Sequence, residues 1–90
     1  MNRSKALENV QAILKQRGES YGDLRKNWTQ TSQMMSMIAG KDITPEQFGA
    51  MMIAMKLSRL ANSDCKHVDS LLDIIGYAAL TLEIIDNDTA

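Results

Sequence analysis

Residues 43–61 read ITPEQFGAMMIAMKLSRLA, and their first five positions carry the strongest helix-start signal in the chain. Thr44 is an N-cap, Pro45 occupies the first helical position, and Gln47 falls three residues after the cap, where its side chain can reach back to the cap backbone. The segment predicts a helix over about 45–61 that buries Phe48, Met51, Met52, Met55 and Leu60. Toward the N-terminus, Leu24, Trp28, Thr31, Met35 and Ile38 recur at spacings of four and three, which predicts a helix over about 23–39, capped by Asp23 or Ser20 and closed by Gly40. Leu7, Val10, Ile13 and Leu14 share one face of an earlier helix, about 4–17, with Asn2 or Ser4 as cap and Gly18 in the left-handed position after its end. Toward the C-terminus a polar loop, 62–68, leads into a fourth helix over about 69–85, apolar on more than one face from Leu71 to Ile85.

The expected fold is all-α: one compact four-helix domain spanning residues 1–90, packed as a homo-oligomer. Composition agrees. Five glycines and one proline in 90 residues are too few for a barrel or sandwich of many short strands. With seven methionines and aromatics at only 4%, the core is built from Leu, Ile, Met and Ala. Such a core in so short a chain is marginal alone. The fourth helix also has more apolar surface than three short helices can cover, with Ile74, Ile75, Leu82 and Ile85 as the expected interface.

Charge excludes other classes. Lys plus Arg number 10 and Asp plus Glu 11, for a net −1. That balance argues against a protein that coats nucleic acid, and no sequence-specific nucleic-acid partner is expected. No apolar run is long enough to span a membrane, and the N-terminal residues lack the apolar region of a secretory signal, so a cytoplasmic location is expected. One cysteine, Cys65, and one histidine, His67, make neither a disulfide nor a zinc site, and no metal or cofactor is expected. No base other than His67 stands near Cys65, which argues against a Cys/His hydrolase. Capping or solvation suffices to explain His67.

Two groups of residues could carry chemistry. On the third helix Lys56 and Arg59 interrupt an apolar run at i, i+3, while on the fourth Asp69, Asp73 and Tyr77 are spaced four apart with Gly76 beside them. A short loop makes these helices an antiparallel pair, which brings Arg59 toward Asp69 or Asp73 and Lys56 toward Asp73 or Tyr77. Two readings are open. The five polar groups form a buried network that fixes helix register, or Lys56 and Arg59 await a phosphate while the carboxylates orient them. Gly76 marks either a ligand's close approach or tight helix packing. The second group is the turn from Arg17 through Tyr21, Gly22 and Asp23 to Asn27. Its exposed N–H groups, cation and ring could hold an anion or stack a planar base, or the turn simply links two helices with Asp23 as cap.

These residues form the pattern R-x-x-x-Y-G-D-x-x-x-N, I-T-P-E, M-M-I-x-x-K-x-x-R-L and H-x-D-S-x-x-D-I-x-G-Y-A-A-L, running from Arg17 to Leu80. The pattern resembles a family of small phage and prophage proteins, and the resemblance implies a phage origin. A more distant resemblance, carried by Asp73-Ile74 and Tyr77-Ala78, is to the MazG-like all-α nucleotide pyrophosphohydrolases and the phage nucleotide-modification-associated domains. Those hydrolases hold magnesium with E-x-x-E on one helix and E-x-x-D on another. Here the corresponding positions are Lys56-x-x-Arg59 and Ser70-x-x-Asp73, and two cations in an oxygen shell would repel the metal. The expectation is a non-enzymatic protein that binds a nucleotide or other small phosphorylated ligand, in its most concrete form sequestering a host antiphage-defence signal. The alternatives are a diverged magnesium-dependent pyrophosphohydrolase using Asp69, Asp73 and Glu46, and a structural or protein-interaction module.

Overall fold

A computed structural model of the chain describes residues 1–89, except for the side chains of Tyr21 and of residues 87–89, so the binding role expected of the Tyr21 ring lies outside the described residues. Among the described residues there are four helices and no strand: α1 (Arg3–Tyr21), α2 (Leu24–Ala39), α3 (Pro45–Ala61) and α4 (Val68–Thr89). No helix among them is long and apolar enough to cross a membrane.

Local chemistry explains most of the boundaries. Thr44 accepts from the Gln47 N–H at 3.2 Å, and the Gln47 side chain accepts from the Thr44 N–H at 2.9 Å. This reciprocal cap satisfies two amides that the helix start leaves without partners. Asn2 caps α1 through the Lys5 N–H, and Asp23 caps α2 through the Lys26 N–H, each at 2.9 Å. His67 caps α4: its Nδ1 accepts from the Ser70 N–H at 3.3 Å and lies 2.7 Å from the Ser70 hydroxyl. Between α2 and α3, the Ser36 hydroxyl accepts from the Ile43 N–H at 2.8 Å and draws the loop back onto α2.

Two boundaries differ from the sequence expectation: α4 runs on to Thr89 rather than ending near Ile85, and the end of α1 lies elsewhere. Gly18 does not end α1; it is helical, and α1 runs on to Tyr21. The reversal occurs at Gly22, with φ 77° and ψ −137°, a conformation open to glycine and costly for other residues. The cap of α2 at Asp23 fixes where the next helix starts, and only Gly22 is left to turn the chain. The expected turn over 18–22 shrinks to a near-direct junction.

The core is small. Trp28, Phe48 and Ile84 are its buried centre, with Leu24, Met35, Met52, Tyr77 and Leu80 packed around them. The Trp28 and Phe48 rings meet edge to face, centroids 4.9 Å apart. The α3–α4 pair makes the most extensive contact in the fold, with α2 against α3 and α1 against α4. Gly49 permits that closeness, since a Cβ there would overlap the Thr81 hydroxyl and come within 2.9 Å of Trp28.

Several residues expected inside are outside. Leu7, Ile38, Met51 and Met55 are all exposed, Ile38 at 88%. Periodicity identifies the apolar face of a helix, not whether another helix covers it. The core centres on Trp28 and Phe48, early in α2 and α3, so the last turn of α2 and the outer side of α3 lie beyond its reach.

Candidate functional site

The end of α1, the start of α2, the first turn of α3 and the second half of α4 surround a cleft of about 820 Å³, within the usual size range of small-molecule sites. Its floor is aromatic. Trp28, Phe48 and Tyr77 all line it, together with Leu14, Leu24 and Leu80, and the Tyr77 ring lies 6.3 Å from that of Trp28. Its rim is polar: Lys15, Arg17, Asp23, Asn27 and Glu83. Two cations and two carboxylates around an aromatic floor suit a ligand that carries both anionic groups and hydrogen-bond donors on a flat ring.

Each element has a reason to place its share. Gly22 brings the end of α1 onto the start of α2, which sets Arg17 near Asp23 and Asn27 around one opening. Trp28 is fixed by its edge-on contact with Phe48, itself set by the capped first turn of α3. Tyr77 is held one turn before Thr81, whose hydroxyl donates to the Tyr77 carbonyl at 2.6 Å.

The structure therefore joins members of both sequence groups. Arg17, Gly22, Asp23 and Asn27 of the junction share the cleft with Tyr77 of the α3–α4 seam. The rest of the seam splits. Lys56 Nζ lies 3.0 Å from Asp73 Oδ2, with the two side chains 12% and 18% exposed, while Arg17 Nη2 approaches Asp73 Oδ1 at 3.6 Å. The second separation is too long for a hydrogen bond and acts through charge. Asp73 thus ties α3 and α1 to α4 and sits behind the Arg17 side of the cleft. Gly76 faces α1, but a Cβ there would meet Leu14 at 3.6 Å and Val10 at 3.9 Å, ordinary contact distances, so the α1–α4 approach does not require a glycine at this position.

Arg59 does not join the seam. It is exposed, and among the described residues no ion pair links it to Asp69 or Asp73. Three residues on from Lys56 the helix has rotated Arg59 about 60° away from the Lys56 direction, and the last turn of α3 carries it past the core. There it faces the carbonyl end of the helix, favourable for a cation, and shares a shallow hollow with Asn62, Ser63 and His67. Asp69 is exposed in the first turn of α4. Cys65 is exposed as well, in a tight loop where Asp64 and Cys65 both take positive φ, 54° and 61°.

Sequence reasoning missed Trp28 and Phe48 as cleft residues, because their helical spacing marked them as core, and they are both. The available signal was scarcity. The chain has one Trp, one Phe and two Tyr, and three of these four line one cleft. Lys15 and Glu83 were missed because nothing local distinguishes them from solvated helix charges.

Residues 5–85 match a family described as a domain of unknown function, DUF6378. The chain belongs to this family. It is also similar to the Gene 55 protein of Mycobacterium phage L5, at 33% identity over 66 residues. That alignment takes in 72% of this chain and 42% of the phage protein, so the chain spans less than half the length of this relative. No solved structure matches the chain. The phage-family resemblance read from the motifs is thus supported at the level of the family and its phage relative.

Proposed function

We propose that this DUF6378 protein is a self-associating binding protein that holds a nucleotide or similar small phosphorylated molecule in the aromatic-floored cleft, without hydrolysing it. One observation carries the reading: Trp28, Phe48 and Tyr77 converge beneath a rim that includes Arg17, Lys15 and Asn27. A base lies against the partly exposed Tyr77 ring, with the buried Trp28 and Phe48 beneath it, Arg17 and Lys15 face the phosphates, and Asn27, Asp23 and Glu83 meet amino and hydroxyl groups. Lys56 and Asp73 support Arg17 from behind rather than touching the ligand. A phage relative fits the most concrete version, capture of a host nucleotide signal used in antiphage defence.

The motif resemblance to MazG-like hydrolases supplies the competing reading. Magnesium catalysis of that kind needs carboxylates gathered in one place. Here Asp73, the carboxylate that reading would use on α4, is engaged by two cations, Lys56 and Arg17. The arrangement favours binding. Native mass spectrometry of protein purified from phage-infected cells tests it, alongside incubation with nucleoside triphosphates and magnesium. A retained phosphorylated ligand and no pyrophosphate release support the proposal. Magnesium-dependent turnover abolished by Asp73→Asn moves the protein to the enzyme class.

A further inference from the structure

The α3–α4 pair turns Phe48, Met52, Tyr77 and Ile84, together with the Lys56–Asp73 ion pair, toward the rest of the chain, and its opposite side carries an apolar face open to solvent. Lys56 and Asp73 point toward α1, as the Arg17 contact shows. On the opposite side, α4 presents Val68, Leu71, Ile75, Ala78, Leu82 and Ile85 at alternating spacings of three and four, the repeat of a helix seam. Of these, Leu82 is 62% exposed and Leu71 43%. Alongside, α3 exposes Ala50, Ala54, Leu57 and Ala61 at the same alternation, with Leu57 at 51%. No charged residue interrupts either stripe.

The chain as a whole carries more surface than a compact monomer, enough to include such a contact. The chain exposes 6471 Å², whereas a compact monomer of its mass exposes about 5,200 Å². The excess, about 1,200 Å², exceeds the roughly 800 Å² per partner of a standard protein interface and falls in the range of permanent homodimers. The radius of gyration agrees, at 14.0 Å against about 12 Å for a compact chain of this length.

We infer that the outer face of α3 and α4 is an interface with a second copy of this chain, the two helix pairs packing across a two-fold axis into a four-helix layer. Two uncharged stripes on one antiparallel pair are complementary to themselves, as a two-fold contact requires, and the alanines among them allow close approach. This goes beyond the ligand proposal and stands without it, since the cleft opens on the other side of α4, at Tyr77, Leu80 and Glu83.

Light scattering across a dilution series tests the inference with the whole chain. The wild type is expected at twice the 10.0 kDa chain mass, with a melting temperature that rises with concentration. Leu82→Glu on the proposed face is expected to halve the mass or abolish folding. Leu7→Glu, at a similarly exposed position on α1 (59%), is expected to leave the mass unchanged. A wild-type mass of 10.0 kDa with a concentration-independent melting temperature overturns the inference, whatever the variants do. An oligomer that survives Leu82→Glu, or is lost equally in Leu7→Glu, overturns it as well.

Discussion

The Asp73 carboxylate holds Lys56 at 3.0 Å with one oxygen and faces Arg17 at 3.6 Å with the other, so a single acidic group of α4 ties down both α3 and α1. The charged seam is therefore a brace for the cleft rather than its floor. Under the proposed function, ligand binding and stability divide between residues that looked equivalent in the sequence.

Removing the brace from its two ends should have unequal effects. Asp73→Ala leaves the Lys56 ammonium, 12% exposed, without its carboxylate, and should cost about 3 kcal/mol. Lys56→Met should cost less, because Arg17 still faces Asp73. Arg59→Met, at an exposed site outside the seam, should stay within about 0.5 kcal/mol of wild type. Urea denaturation monitored by circular dichroism measures all three.

Three glycines should respond in three ways. Gly49→Ala drives a methyl into Thr81 and Trp28 and should destabilise by about 1 to 3 kcal/mol. Gly76→Ala meets Leu14 at an ordinary 3.6 Å and should be neutral or stabilising, by up to about 1 kcal/mol from helix propensity. Gly18 lies in α1 on the cleft wall with nothing within 4 Å of an added Cβ. Gly18→Ala should raise the melting temperature of the free protein while weakening nucleotide binding, a combination that a purely structural helix position would not produce.

The cap of α4 gives a separate test. His67→Ala removes the acceptor for the Ser70 amide and the partner of the Ser70 hydroxyl, with Ser70 only 1% exposed. The expected loss is about 1 to 3 kcal/mol by thermal or chemical unfolding. Cys65→Ser, exposed two residues earlier, should change stability by less than about 0.5 kcal/mol.

The helices were legible because their ends are written locally. Thr44-Pro45-Glu46-Gln47 and Asp23 each specify a start through a bond that spans three residues. The end of α1 was misread because Gly18 and Gly22 are both able to turn the chain, and the choice rests on where α2 begins. Half of the site was legible in the same way. Arg17, Gly22, Asp23 and Asn27 are close in sequence, so a shared junction could be expected. Their meeting with Tyr77 and the Arg17–Asp73 contact depend on how α1 settles against α4, a long-range event that no local pattern announces. Arg59 was misplaced for a related reason. Antiparallel pairing brings the two helix ends near one another, and the rotation of the last turn then carries this side chain out of the seam.

Trp28 is the chain's one tryptophan, and it lines the cleft, so its fluorescence reports directly on occupancy. The decisive measurement is a titration of the wild type and Arg17→Ala with nucleoside mono-, di- and triphosphates and cyclic dinucleotides, in EDTA, at low and high salt. The account predicts a saturable change in Trp28 emission with at least one of these in the wild type. Metal removal should not diminish it, added salt should weaken it, and Arg17→Ala should lose at least tenfold in affinity, about 1.4 kcal/mol. An unchanged emission across the whole panel, or a response identical in Arg17→Ala, contradicts the account.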